Sequence, residues 1–187
     1  MAQFNSYCEA VASGKLHAVH KDYHDREYGF PIADDKELFA RLVLELNQAG
    51  LSWETILKKK EGFYKAYSNF DIESVANYGE EDRVRLKNDP SIIRNRLKIE
   101  AAIHNAKVIL GLQAEFGSFK AWLDQNRSLS KDQWIKLFKR HFKFTGGEIT
   151  NEFLMSSGYL KGAHIETCPI YEKIESRNPP WLKSKKI

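Results

Sequence analysis

The chain predicts an all-α fold, and three observations carry that expectation. Apolar residues recur near the helical period of about 3.6 residues along most of the sequence. No stretch alternates β-branched with polar residues between turn signals, and no Asn-Gly or Asp-Gly pair marks a tight β-hairpin. Residues that start and stop helices bracket the periodic segments.

The first strong segment is "DDKELFARLVLELNQ". Its leading acids suit a helix N-terminus, and Leu38, Phe39, Leu42, Val43 and Leu46 fall on one stripe. Gly50 closes it, and Ser52 is placed to cap the next helix, "WETILKKK". Asp71 caps "IESVANY", and "GEEDRVRLK" begins another short helix. Asn88, Asp89 and Pro90 make a tight turn. A long helix follows, with Ile99, Ala102, Ile103, Ala106, Ile109 and Leu110 at helical spacing. In "SKDQWIKLFKRHF", Trp134, Leu137, Phe138 and Phe142 share the inward face, and "GEITNEFLMSS" stops at Gly158. The Pro- and Lys-rich end, residues 178–187, is expected to be a flexible tail.

Its 187 residues suit one domain, or two compact helical lobes around one cleft, with the chain ends meeting in one lobe. With 42% hydrophobic and 29% charged residues, the chain can bury a core and stay in solution. A net charge of +4 is compatible with a nucleic-acid partner without requiring one. There is no apolar run of about 18 residues, so no membrane span is expected. The N-terminal residues lack the basic-then-apolar order of a secretory signal. Two cysteines are too few for a disulfide framework, which makes a reducing cytoplasm the expected compartment.

Those cysteines have another use. "GAHIETC" sets His164 and Cys168 four residues apart, close enough to reach one ion. Cys8 and His24 form a second pair near the other end, giving a Cys₂His₂ set of the kind zinc prefers. His17 and His20 compete with His24, and spacing alone does not choose between them. The plainer reading is that these residues hold no metal.

"LKNDPSIIRNRLKI" reads as helix, tight hairpin, helix. Backbone N–H groups beside Ser91 and at the start of the second helix suit a phosphate. Arg94, Arg96 and Lys98, with the block Lys58, Lys59 and Lys60, would grip a nucleic-acid backbone without reading sequence. The turn lacks the glycines usual in such hairpins, and a solvated surface would have the same charges.

Glu45 lies at the margin of the apolar stripe and needs a partner there. A salt bridge or a cap would satisfy it. So would the edge of a purine, with Tyr23, Tyr28 and Trp53 offering stacking faces.

Taken together, "YHDREYG", "ELNQAGLSW" and "IIRNRLKI", followed by "FGSF", "FKFTG" and the terminal His-x-x-x-Cys, resemble the bacterial 3-methyladenine DNA glycosylase I (Tag) family. The likeness runs from about residue 22 to 168. It implies a helix-hairpin-helix glycosylase fold with a structural zinc on Cys8, His24, His164 and Cys168. It also implies hydrolysis of the N-glycosidic bond of 3-methyladenine in double-stranded DNA, without strand cleavage. Glu45 would read the flipped base, Tyr23 and Trp53 would stack on it, and Tyr28 would lie nearby. The released base is 3-methyladenine, and the protein is expected to act as a monomer on the nucleoid in a bacterial cytoplasm.

The chain departs from that family at Ala10 and His20, where aromatic residues are usual, and at Tyr28, where Trp is usual. After "FKFTG" the expected Thr- and Tyr-containing pattern is replaced by "GEITNEFLMSSG", with Glu148, Asn151 and Glu152. Two other readings follow: a purine- or DNA-binding module that no longer cleaves, or a glycosylase for a different modified base.

Overall fold

The computed structural model describes residues 4–183, and within them there are helices and turns but no strand. Thirteen α-helices follow in order. They are α1 (Tyr7–Ala12), α2 (Ala18–Arg26), α3 (Asp35–Gln48), α4 (Trp53–Lys58), α5 (Lys60–Ala66), α6 (Ile72–Ala76) and α7 (Glu80–Asn88). Then come α8 (Arg96–Phe116), α9 (Phe119–Gln125), α10 (Lys131–His141), α11 (Gly147–Ser156), α12 (Pro169–Glu175) and α13 (Pro180–Lys183). A 3-10 turn, Ser68–Phe70, separates α5 from α6.

The central element is α3. Its expected stripe is wholly enclosed, with Leu38, Phe39, Leu42, Val43 and Leu46 all at 0% exposure. Each such side chain contributes roughly 1.5–3 kcal/mol of transfer free energy. The helix is covered on its other faces too, because α4, α5 and α8 pack on it as well as α9 and α11. Arg41, Glu45 and Asn47 are therefore buried along with the apolar residues. Asp35, in the first turn, accepts backbone N–H bonds from Phe119 (2.8 Å) and Lys120 (2.9 Å), which locks α9 onto α3.

Local signals act as their chemistry requires. Ser52 accepts the Thr55 N–H at the start of α4, and Asp71 accepts the Ser74 N–H at the start of α6. Gly50, at φ +80°, turns the chain out of α3 through the left-handed region. The segment expected as one helix through Lys60 is divided, because α4 ends at Lys58 and α5 begins after Lys59.

Between α7 and α8 the hairpin is tight. Asp89 Oδ1 accepts from both the amide (2.8 Å) and the hydroxyl (2.6 Å) of Ser91. The hairpin sits against Gly62 of α5, where an added Cβ would lie 2.5 Å from the Ser91 carbonyl oxygen. Only glycine permits that approach.

The expected flexible tail requires correction. Pro180 and Trp181 are buried in α13, and the Trp181 N–H donates to the Gly158 carbonyl at 3.1 Å. The indole offers more apolar area than the flanking lysines can keep in water. Residues 184–187 of that expected tail lie outside the described residues.

Candidate active site and metal centre

A cavity of about 520 Å³ opens at the C-terminal end of α3. It is lined by Glu45 and Gln48 of α3, Trp53 of α4, and Tyr23 and Tyr28. Tyr7 of α1 and the α11 acids Glu148 and Glu152 complete it. The sequence-predicted Glu45, Tyr23, Tyr28 and Trp53 thus come together from three parts of the chain.

Glu45 is 5% exposed and forms no ion pair among the described residues. The salt-bridge explanation for this acid therefore does not apply. Arg41, one turn earlier, spends its guanidinium elsewhere. It donates to the Tyr23 hydroxyl (3.1 Å), the Ser156 carbonyl (3.1 Å) and Glu27 (3.2 Å). Burial pushes the Glu45 carboxyl up to about 8; the Arg41 charge and a Ser156 hydrogen bond oppose that rise, and Glu152 adds to it. Burial without a close ion-pair partner thus favours the protonated carboxyl. A cationic ligand would reverse this by supplying the missing counter-charge.

Tyr23 is fixed from behind, because Arg41 also stacks over its ring at 5.1 Å. Trp53 is half-buried and meets Tyr23 edge-on, with centroids 5.1 Å apart and planes at 64°. These two rings were expected to sandwich a base. As they stand they touch each other, so a purine enters between them only if the less restrained Trp53 turns away.

Sequence reasoning missed two residues. Tyr7 packs perpendicular to Tyr28 (5.5 Å, 89°) and bonds His20 Nδ1 at 2.9 Å, supplying the aromatic wall that Ala10 and His20 withhold. Its signal was an aromatic residue adjoining the candidate ligand Cys8. Arg41 was signalled by its place four residues before Glu45, two charges on one turn of an apolar helix.

Beside Tyr28 lies the second constellation. The donor atoms of Cys8, His24, His164 and Cys168 all fall within 4.8 Å of one another, and all four residues are buried. Each cysteine sulfur is 3.5 Å from His164 Nδ1, and Cys168 Sγ is 3.8 Å from His24 Nε2. A tetrahedral ion with ordinary Zn–S and Zn–N bonds would set sulfur and nitrogen about 3.5 Å apart. The outer ring nitrogens are anchored, His24 Nδ1 on Asp25 (2.7 Å) and His164 Nε2 on the Tyr28 carbonyl (2.8 Å). Burial, reinforced by the adjoining Cys168 thiol and opposed by a backbone hydrogen bond at Ile165, pushes the Cys8 thiol up to about 11, so a bound cation is what would make it a thiolate ligand. The group fits a metal, and His24, rather than His17 or His20, belongs to it.

The basic residues are less uniform than their sequence suggests. Lys98 is 4% exposed and donates at 2.7 Å to the carbonyls of Asn47 and Ala49, capping the end of α3. It is a structural cation, and the expectation that it grips phosphate is corrected. Lys59 donates to the Pro90 carbonyl (2.6 Å) and Lys60 to Glu27 (2.5 Å). Lys58 makes an exposed i,i+4 pair with Glu54. Ser91 is exposed on the hairpin, and Arg94 and Arg96 beside it are exposed and form no ion pair among the described residues.

Comparison with known proteins agrees with this arrangement. Residues 13–136 match the family model described as methyladenine glycosylase. The chain is 38% identical over 168 residues to DNA-3-methyladenine glycosylase 1 of Escherichia coli (strain K12), covering 80% of this chain and 89% of that protein. It is 33% identical to the DNA-3-methyladenine glycosylase of Haemophilus influenzae, covering 81% and 92%. A solved 3-methyladenine DNA glycosylase I in complex with 3-methyladenine superposes with a TM-score of 0.78 at 34% identity, covering 85% of this chain and 95% of that one. With an all-helical architecture, an aromatic cavity closed by a buried acid and matches of this extent, the chain belongs to the methyladenine glycosylase family.

Proposed function

We propose that this protein is a monofunctional DNA glycosylase that releases 3-methyladenine from double-stranded DNA and leaves an abasic site. The observation that carries the reading is Glu45, an acid without an ion-pair partner in a cavity walled by tyrosine and tryptophan. No cation pairs with it directly among the described residues, and a cationic purine would.

A purine alkylated at N3 already carries positive charge on the nucleoside, so it is a good leaving group. The N9–C1′ bond breaks with its electron pair passing to the base, which departs neutral. Water supplies the hydroxyl at C1′, and its proton goes to solvent. The enzyme needs no strong general acid. It must draw the base out of the stack, at a cost of a few kcal/mol, and recover that cost in the cavity. Stacking contributes ~1–3 kcal/mol per ring. Glu45, ionised once the cation enters, accepts hydrogen bonds from the base and favours the positive charge growing on the sugar.

The four-residue Cys/His group holds structural zinc in this reading, supported by its donor types and spacing. It would join the segment bearing Tyr7, Tyr23 and Tyr28 to the C-terminal segment. Zinc bound there supplies no step of the hydrolysis. The protein works as a monomer in the bacterial cytoplasm; no described helix is long and apolar enough to cross a membrane.

The hairpin holds the duplex through Ser91, Arg94 and Arg96, with Lys58 able to leave its weak surface pair. Replacing Arg94 and Arg96 together by alanine is expected to weaken binding to all DNA sequences alike. It should also reduce the slope of log affinity against log salt by about 2, one unit per phosphate contact. An unchanged slope in a fluorescence-anisotropy titration would remove these arginines from the interface.

Chromatography of bases released from methylated DNA tests the function directly. Free 3-methyladenine is the expected product. Tight DNA binding with no free base would favour the non-cleaving module instead.

A further inference from the structure

Part of the cavity lining comes from α11, which packs on α3 beside Glu45. Glu148 and Glu152 both line the cavity, one helical turn apart. Glu152 is partly buried, and the Tyr28 hydroxyl donates to its Oε2 at 3.2 Å. That bond fixes the carboxyl on the cavity side of the helix, beside a ring that itself lines the cavity. The Glu152 charge is felt at Glu45. Among the described residues no cationic side chain lines this cavity: Arg41 directs its hydrogen bonds to Tyr23, Ser156 and Glu27, and Lys131 acts on Glu152 from outside the lining.

A cavity lined by carboxyl groups from two helices favours a ligand with donors on more than one group. An alkylated adenine offers only its exocyclic amino group. A guanine alkylated at N7 is equally cationic, equally flat, and offers N1–H together with the N2 amino group. Two adjacent donors of that kind match one carboxylate in bidentate fashion, much as carboxylates accept from base edges elsewhere.

We propose that Glu152, held by Tyr28, is a second base-reading acid and that it extends the substrates of this cavity to N7-alkylated guanine. This rests on the glycosylase reading above and concerns the same bond. Water adds its oxygen to C1′ as N9–C1′ breaks, the electron pair leaves with the purine and cancels its charge, and one proton passes to solvent. Glu152 contacts the base and takes no part in bond cleavage.

The test uses DNA treated with dimethyl sulfate, which carries both 7-methylguanine and 3-methyladenine, incubated with the wild-type protein and with Glu152→Gln. Glutamine keeps an acceptor for Tyr28 but presents an amide where the second carboxylate oxygen stood. The wild type is expected to release both bases. The variant should lower the ratio of 7-methylguanine to 3-methyladenine by about tenfold or more, the discrimination expected of one bidentate contact. Titration of free 7-methylguanine, followed by Trp53 fluorescence, should weaken by a similar factor without any need for turnover. Release of 3-methyladenine alone by the wild type, or the same ratio from both proteins, would overturn the proposal and leave the function standing. Release of no base by the wild type would overturn both. Should the variant fail to give a cooperative melt, the wild-type product list still decides.

Discussion

Replacing Glu45 by glutamine is expected to lower excision of 3-methyladenine by about 10²-fold, the usual cost of removing one pre-placed charge-stabilising group. The same change is expected to make the folded protein more stable. The two effects have one cause. Burial raises the Glu45 carboxyl from 4.5 in the unfolded chain to about 8 in the fold. Below pH 4.5 both states are protonated and nothing is lost. Between those two values the native protein keeps a proton that the unfolded chain has released, so stability falls as pH rises across that window. Glutamine never titrates and escapes the penalty, which by linkage is at most about 3 kcal/mol at pH 7. In a chain of this length that corresponds to a rise in Tm of up to about 10 °C.

The same acid should shape the rate profile. Productive capture of a cationic base needs Glu45 ionised, and kcat/KM reports groups on the free enzyme. It should therefore climb with pH, reach half its limit near pH 8 and level off above that, whereas the glutamine variant should show no such rise. Parallel melts and pH profiles of the two proteins check this. A variant that is slower, no more stable, and still climbs with pH would show that the titrating group lies elsewhere. A variant with wild-type kinetics would end the base-reading role altogether.

Much of the scaffold could be read from the residues because it depends on local rules. The α3 stripe, the Ser52 and Asp71 caps and the Asp89 turn each follow from near neighbours in sequence, and each is found as expected. The short helices α1, α2 and α12 gave weaker signals. They carry few apolar residues and gather around the Cys/His group and the tyrosines beside it. Charged residues were harder still, because a side chain's charge is visible in sequence and its destination is not. Lys98 looked like a phosphate ligand and caps α3 instead. Arg41 drew no notice as a charge within an apolar run, and it supports Tyr23 from within. Glu148 and Glu152 could face solvent or the cavity by sequence alone; the rotation of α11 about its own axis, set by Phe153 and Leu154 packing inward, turns them to the cavity.

Loss of the proposed zinc is expected to affect fold and activity together, and Cys168→Ser is the sharpest way to cause it. The segments that Cys8 and Cys168 join have little else to hold them. Their own apolar cluster consists of those two cysteines with Ile170 and Ile174, and Phe30 packed beside them. Four polar or thiol ligands gathered in a buried site cost free energy unless an ion repays it, and structural zinc in small domains contributes on the order of 10 kcal/mol. Part of that is recovered here by packing against the rest of the protein, so a loss of about 4 kcal/mol and a fall in Tm of about 8–16 °C are expected. The site also adjoins the cavity. His24 follows Tyr23 directly, His164 holds the Tyr28 carbonyl, and Tyr7 precedes Cys8. Loosening it should therefore lower affinity for free 3-methyladenine, even at a temperature where the variant remains folded. Elemental analysis should find one zinc per wild-type chain and none in the variant. A wild-type protein purified without metal, melting at the same temperature before and after a strong chelator, would show that these four side chains are merely neighbours.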